Sequence, residues 1–496
     1  MTPSKFNIKN IAIFPEFGSN PLASGSKLDL RYFYSKSLEA GVFPSLHKMG
    51  MVIPIYKAKD KLDIANYRPI VMLNAISKIL EKVASKRIIN HLEENNLLSC
   101  SQFAYRKGKG TELALTKFIN DVINNFENNK LTLSVFVDLT KAFDCVSHNI
   151  LAHKLKRYGI DNMAHKWLMD YLSNREQYVK FNNCMSDSKP VRIGVPQGSI
   201  LGPLLFLIFI EDIKRAGHEG ELLLFADDGN YYESSDNHHQ LIELVNCKIH
   251  FITRWFLANR LAINVIKTEA MLFSRRLIYF PLQPIIVNSC PIPYNFIFKF
   301  LGVLLDFKLN WKAHICSISS KLSSACGILF RTRNMITRNI AKTIYYGIAH
   351  PYLTYCNIVW GSCYPSNLQR LVTIQKKLIR LIIRCNRRTP TTLLFKQLKI
   401  LKLRDITNLS TSIFVFKAVN YLIDSPITFL NRNDVRYNLR NQHNIDIPVH
   451  RSRQAELFIH VRGARLWNGI PLAIRNRLNV YSFKHHLKMH YLNLYQ

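Results

Sequence analysis

Leu222-Leu223-Leu224-Phe225-Ala226-Asp227-Asp228-Gly229-Asn230-Tyr231-Tyr232 is the stretch on which the reading of this chain turns. Apolar residues run up to two adjacent acids, and a second strand-like segment leaves them. Apolar runs on either side of an Asp-Gly step predict a β-hairpin. Two carboxylates side by side at a turn repel unless a positive group offsets them, and a hard divalent cation, which takes oxygen ligands, does so. A short motif of this kind carries weight only in company. The company it needs is a third acid and a polyanionic substrate.

The third acid lies 89 residues upstream of Asp227. Leu131 to Leu139 reads Leu-Thr-Leu-Ser-Val-Phe-Val-Asp-Leu, a strand apolar enough to be buried on both faces. Asp138 stands near its C-terminal end, and a charge at the end of a buried strand must be paired or coordinated. A mixed α/β fold can bring such a strand end beside the hairpin. Two Mg²⁺ ions about 4 Å apart on shared carboxylates stabilise both the attacking and the leaving oxygen of a phosphoryl displacement. Between these elements, Gly194-Val195-Pro196-Gln197-Gly198-Ser199 leads into Leu201-Gly202-Pro203-Leu204. Its glycines let the backbone approach a ligand closely, and the helix it opens favours a phosphate or carboxylate at its N-terminus.

The polyanionic partner is written in the charge. The chain has 67 Lys+Arg against 33 Asp+Glu, a net of +34. Residues 307–496 hold 30 basic and 5 acidic residues (+25), and residues 1–306 hold 37 and 28 (+9). So lopsided an excess points to nucleic acid, ahead of an anionic membrane surface. The ten cysteines are scattered, with no C-x₂-C pair or zinc-knuckle spacing. Scattered thiols suit a reducing intracellular compartment, nucleus or cytoplasm. Met1 to Asn20 lacks the apolar core of a secretory signal. The longest apolar run, Leu204 to Ile210, is far too short to span a membrane, so no membrane partner is expected.

At 496 residues, 48% of them hydrophobic, the chain predicts two to four globular units. Residues 1–32 read as a loose leader rich in Gly, Ser, Asn and Pro. Val52–Tyr56 reads as a strand. Helices are predicted at Ser77–Leu98, Glu112–Asn125, His148–Tyr158, Met163–Ser173 and His238–Asn259. Strand pairs are predicted at Gln177–Phe181 with Pro190–Ile193, and at Lys267–Phe273 with Phe298–Leu305. Beyond Asp306 helical patterns with basic faces dominate (Leu322–Ile336, Leu368–Arg384, Phe395–Leu422). Val435–His450 reads as irregular and polar, and a compact element surrounds Trp467, Ile470, Leu472 and Ile474.

Taken in order, these segments resemble the reverse transcriptases of non-LTR (LINE-type, jockey-like) retrotransposons, from about Phe33 to the C-terminus. The resemblance rests on Pro54-Ile55-Tyr56-Lys57, Asn66-Tyr67-Arg68-Pro69-Ile70, Ser101 to Gly108, Phe136 to Asp144, Gly194 to Phe206, Phe225 to Asp228, Lys267-Thr268 and Phe300-Leu301-Gly302. It implies an α+β right-hand polymerase with an antiparallel palm sheet. Fingers and palm would occupy residues 33–306, a helical thumb 307–420 and a basic C-terminal segment 421–496. The implied activity is RNA-directed DNA polymerisation on an RNA template and DNA primer from dNTPs, with two Mg²⁺ ions, or Mn²⁺ in their place.

The resemblance also assigns roles. Asp138, Asp227 and Asp228 would bind the metals. Arg68 and Lys57 would hold the triphosphate, Arg68 by a fork suited to phosphate. Gln197 and Gly198 would line the nucleotide pocket. Phe143 would stand against the sugar 2′ position and exclude ribonucleotides, and Lys267 would assist pyrophosphate departure. Lys376, Lys377, Arg380, Arg384, Arg387 and Arg388 would contact the backbone of template and primer. Asp144 and His148 read as local structural residues. The roughly fifty residues before Val52 are too few for the endonuclease that such elements usually carry. A polymerase-plus-thumb fragment is therefore expected; the competing expectation is a catalytically silent nucleic-acid-binding remnant.

Overall fold

The computed structural model describes residues 24–58, 60–215, 220–276, 282–430 and 444–495. Its strands are β1 (Met49–Tyr56), β2 (Tyr67–Met72), β3 (Leu131–Val137), β4 (Arg175–Phe181), β5 (Cys184–Met185), β6 (Lys189–Val191) and β7 (Glu221–Phe225). They continue with β8 (Asp228–Ser235), β9 (Glu269–Phe273), β10 (Ile285–Val287), β11 (Cys290–Ile292), β12 (Ile297–Phe300) and β13 (Val303–Asp306).

The central sheet runs β7-β8-β3-β9, antiparallel throughout. All seven residues of β3 are buried, as its continuous apolar pattern predicts, because both faces are covered. Leu131, Leu133, Val135 and Val137 face one core, shared with helices α2 (Ala75–Glu94), α4 (His148–Arg157), α5 (Asn162–Leu172), α6 (Leu201–Ile210) and α7 (His238–Ala258). Phe136, with Tyr232 and Phe273 of its neighbours, faces a second core. There it meets Phe118 of α3 (Thr111–Glu127), the β12–β13 hairpin and the C-terminal helices. Alternation along one strand thus joins the two halves of the molecule.

A second sheet, β2-β1-β4-β5 with β6 beside β4, flanks the first; β1 pairs antiparallel with β2 and parallel with β4. The two sheets are tied by the 194–199 loop, whose Gln197 carbonyl accepts the Val71 N–H at 2.7 Å. Beyond Asp306 the chain is helical. Helix α8 (Lys312–Thr332) packs along Pro365–Ile383, and Leu403–Val419 packs against Ile459–Asn468 and Val480–Asn493. The apolar core continues unbroken across residue 420, and Glu127 at the end of α3 accepts the backbone N–H groups of Arg451 and Ser452.

Several elements differ from expectation. Residues 24–32, read as the end of a leader, belong to helix α1 (Ser24–Ala40), which buries Tyr34 and Leu38 in the core it shares with α5. Phe298–Leu305 does not pair with β9. It folds on itself as β12–β13 around Leu301 and Gly302, both at positive φ (44° and 83°), while β9 pairs with β3. The helix predicted over Phe395–Leu422 is two helices, Thr392–Leu398 and Leu403–Val419, because Lys399 turns left-handed (φ 55°). Helix α8 begins ten residues before the expected Leu322. Residues 435–443 of the segment read as irregular lie outside the described residues. No described helix is long and apolar enough to cross a membrane, and all ten cysteines are free.

Candidate active site

Strand β3 pairs with β8 in the register Phe136↔Asn230 and Val137↔Gly229. Continued by one residue, that register sets Asp138 opposite Asp228 on strands about 5 Å apart. Period two puts Asp138 on the face of Phe136, and Asp228 on the face of Asn230. Phe136 stacks on Phe298 with centroids 4.1 Å apart, and the buried Asn230 accepts a hydrogen bond from the Ser134 hydroxyl. The two carboxylates therefore stand at the open end of a face whose closed part is an aromatic floor.

The hairpin between β7 and β8 turns in two residues: Phe225 pairs with Asp228, leaving Ala226 and Asp227 as the loop. The turn lies one step before the Asp228-Gly229 step that predicts it. Gly229 sits inside β8, paired with Val137 on one side and Leu224 on the other. Ala226 takes the positive φ (58°) that such loops usually give to glycine or asparagine.

Electrostatics draw five predicted residues to this cleft. Asp227 is raised above the usual carboxylate range by withdrawal from water and by Asp138, while its own backbone, Arg68 and Lys57 pull it back. Asp228 is pushed up to about 6, first by withdrawal from water, then by Asp227 and Asp138, against Lys57 and Arg68. Lys57 and Arg68 come from the β1–β2 hairpin, where Arg68 pairs with Ile55 and the Lys57 N–H meets the Asn66 carbonyl at 2.9 Å. Both side chains are exposed. Lys267 is the sixth. Its Nζ lies 3.5 Å from Asp138 Oδ2, held there by a tight turn in which the Asn264 N–H binds the Asp138 carbonyl at 2.8 Å.

Among the described residues no three His, Cys, Asp or Glu side chains form a ready-made metal cage. The fit of the three aspartates to a divalent ion rests on two things: a donor set of oxygens only, and the withdrawal from water, joined by repulsion between the acids, that raises Asp227 and Asp228.

The 194–199 loop docks against the residues after β3. The Val195 N–H meets the Phe143 carbonyl, and the Gly194 N–H the Val146 carbonyl, both at 2.8 Å. Gln197 Nε2 donates to Asp144 Oδ1 at 2.8 Å, and His148 Nε2 meets the Gly194 carbonyl at 2.8 Å. The half-buried Phe143 ring stacks on Phe206, centroids 4.6 Å apart, which fixes its orientation.

Two readings of this loop change. Its glycines make room for the protein's own backbone. A Cβ on Gly198 (φ +129°) would lie 2.4 Å from the Val71 carbonyl oxygen, and one on Gly194 would lie 2.7 Å from that of Asp144. The α6 N-terminus, read as a seat for a phosphate or carboxylate, already holds a carboxylate of this chain. Glu81, fully buried on α2, accepts the N–H groups of Ile200 (2.7 Å) and Leu201 (3.2 Å), and Ser199 Oγ accepts that of Gly202 (2.8 Å). Glu81 received no role in the sequence; the signal was one acid among the apolar residues of the buried face of α2. Gln102 was also passed over, although it lies inside a quoted motif.

The six cations of the helical region divide. Lys376, Lys377, Arg387 and Arg388 are exposed. Arg380 is partly buried and its Nε donates to the Thr389 carbonyl at 2.9 Å, while Arg384, exposed like the other four, donates its guanidinium to the Ile336 carbonyl.

Comparison with known proteins supplies a family. Residues 55–305 match the pattern described as Reverse transcriptase (RNA-dependent DNA polymerase). A Drosophila melanogaster protein named as a probable RNA-directed DNA polymerase from transposon X-element is 29% identical over 384 residues, 75% of this chain and 41% of that protein. The RNA-directed DNA polymerase from mobile element jockey of Drosophila funebris is 27% identical over 366 residues, 72% of this chain and 40% of that protein. The chain thus spans about two fifths of the length of these curated relatives. A solved telomerase from Candida tropicalis aligns over 57% of this chain and 58% of its own, with 13% identity and a TM-score of 0.37.

Proposed function

The chain belongs to the reverse transcriptase (RNA-dependent DNA polymerase) family, and from that premise we propose that it extends a DNA primer on an RNA template, adding dNTPs to the primer 3′-OH. In this reading the β2-β1-β4-β5 sheet is the fingers, the β7-β8-β3-β9 sheet the palm, and the helices beyond Asp306 the thumb and C-terminal segment. The observation that carries it is the register that sets Asp138 opposite Asp228, with Asp227 beside them and Lys57 and Arg68 within electrostatic reach.

Two divalent ions, Mg²⁺ or Mn²⁺ in its place, would be held by Asp138, Asp227 and Asp228 and would supply positive charge at the attacking and leaving oxygens. The protein's own contribution is position and charge. Arg68 and Lys57, on a hairpin tied to the 194–199 loop, hold the triphosphate across the cleft from the acids. Lys267 stands beside Asp138 as a fixed cation on which negative charge leaving with the pyrophosphate can settle. Phe143, locked by Phe206, closes the space a ribose 2′-OH would need, so the product is DNA. Gln197, held by Asp144, lines the same pocket with Gly198. The exposed lysines and arginines of Pro365–Ile383 and the turn after it follow the nucleic-acid backbone without reading its sequence.

Primer extension on an RNA template with dNTPs and Mg²⁺ tests the proposal. Incorporation by the wild type and none by Asp227→Ala is the expected result. An inert wild type, or full activity in Asp227→Ala, would refute it and favour a silent nucleic-acid-binding remnant.

A further inference from the structure

The acid-bearing turn has a built-in difficulty. In a two-residue hairpin the N–H of the first loop residue has no ladder partner, and Ala226, the residue concerned, is only 6% exposed. A buried N–H needs an acceptor. Ala226 also holds a φ of 58° that suits glycine, while Asp227 keeps a negative φ, the sign pattern of a type II′ turn.

One side chain answers both demands. Gln102 is 1% exposed, and its Oε1 accepts the N–H of Ala226 at 3.3 Å and of Ala104 at 3.0 Å. Its backbone lies along the edge of the central sheet. Gln102 bridges Leu224 in parallel, the Phe103 N–H meets the Leu224 carbonyl at 2.9 Å, and the Leu224 N–H meets the Ser101 carbonyl at 2.9 Å. Arg106 then anchors the far end of this segment by a paired grip on Glu93, at 2.9 and 2.7 Å. Among the described residues Gln102 Nε2 has no partner, so the carbonyl oxygen is the working atom of this side chain. A carboxylate would offer the same oxygen but add a fourth negative charge beside Asp227; the neutral amide avoids it.

We propose that Gln102 is the positioning residue of the Ala226-Asp227 turn: its side-chain oxygen holds Ala226 left-handed and thereby fixes where the carboxylates of Asp227 and Asp228 stand. Gln102 acts through Ala226. The inference rests on the polymerase reading of the three aspartates, and its test separates the two.

The test uses the full chain as wild type, Gln102→Leu, and Gln102→Leu with Ala226→Gly, since glycine adopts the left-handed conformation without help. Steady-state primer extension gives kcat and the KM for dNTP, Mn²⁺ titration followed by electron paramagnetic resonance gives metal affinity, and a thermal melt reports folding. Gln102→Leu is expected to lower kcat about 10- to 100-fold, since about 1 Å of misplacement is enough for the larger loss. It should weaken Mn²⁺ binding several-fold and leave the KM for dNTP within about two-fold, because Lys57 and Arg68 are untouched. Adding Ala226→Gly should recover most of both losses. Unchanged kcat and Mn²⁺ affinity in Gln102→Leu would overturn the proposal. So would losses that Ala226→Gly does not recover, including a chain that fails to fold in either background, since Gln102 would then be a structural residue only. An inactive wild type would count against the polymerase reading alone, and Mn²⁺ titration of the same variants would still decide the positioning role.

Discussion

Replacing Glu81 with leucine tests whether the α6 N-terminus is closed from within. The Glu81 side chain is fully buried and has three hydrogen-bond donors: Ser77 Oγ at 3.0 Å on Oε1, and the N–H groups of Ile200 at 2.7 Å and Leu201 at 3.2 Å on Oε2. A hydrogen bond to a charged group contributes about 1.5–3 kcal/mol, and an anion at a helix N-terminus up to about 2 kcal/mol more. Against this stands the cost of burying a carboxylate, several kcal/mol, which leucine avoids. The balance for Glu81→Leu is a local loss of about 3 kcal/mol, because two backbone N–H groups lose their acceptor in a dry site. Glutamine keeps one oxygen facing both N–H groups and turns its NH₂ toward Ser77, so its loss is about 1 kcal/mol. At about 1.4 kcal/mol per factor of ten, these losses speed local opening about 150-fold and about 5-fold. Hydrogen–deuterium exchange of a peptide covering residues 197–205 reads the difference directly. The Gln197 and Gly198 backbone should open with the helix start, so primer extension should fall in the same order. Exchange within about three-fold of wild type in both variants would refute the cap and return the α6 N-terminus to the list of places where an external phosphate binds.

Gly198→Ala should be as damaging. A Cβ there meets the Val71 carbonyl oxygen at 2.4 Å in a backbone held at φ +129°, so the loop must leave β2 at a cost of about 2–4 kcal/mol; a melt within about 1 °C of wild type would contradict it. Glu211 predicts a pH dependence. Burial pushes its carboxyl up to about 7 from 4.5, against Ser99, Arg106, Lys214 and Lys109, which pull it down. The folded state thus binds this proton more tightly than the unfolded chain. The stability it contributes is complete below about pH 4.5 and is lost as pH rises through about 7, some 3 kcal/mol in all. Glu211→Gln should gain on wild type across that window in urea midpoints, and parallel curves would refute the assignment. Phe143→Ala should lower discrimination between dNTP and rNTP by at least about ten-fold, measured as the ratio of their kcat/KM values; an unchanged ratio would remove Phe143 from sugar selection.

What the sequence made legible, and what it hid, follows the range of the interactions involved. The hairpin of Asp227 and Asp228 and the doubly buried β3 are local patterns, apolar runs broken by turn residues, and both are found, the turn one step before the Asp-Gly step that predicts it. The register that brings Asp138 opposite Asp228 is not local, because it is fixed by which faces of β3 and β8 reach the two cores. Glycines were readable as close approaches, but the approaching partner was not. At Gly198 it is Val71, from a strand 127 residues away in the chain. The same holds for a helix start that wants an anion: its partner, Glu81, is 119 residues from Ile200.

That pattern explains why the residues missed are polar and buried. Glu81 and Gln102 each join a segment before β3 to a loop at the cleft, the first to the start of α6 and the second to the acid turn. Each satisfies backbone N–H groups that a loop cannot satisfy within itself. Lys267 reaches the cleft the same way, through a turn whose Asn264 N–H grips the Asp138 carbonyl. Each of these three loops is thus tied to a rigid element by at least one long-range polar contact. Such contacts leave no periodicity, since each is made at one position, by a side chain at Glu81 and Gln102 and by a backbone N–H at Asn264. A cluster of like charges needs this arrangement, because the acids repel one another and cannot supply their own placement. It follows that substitutions at Gln102 should alter catalysis with little change in the KM for dNTP, whereas substitutions at Lys57 and Arg68 should do the reverse.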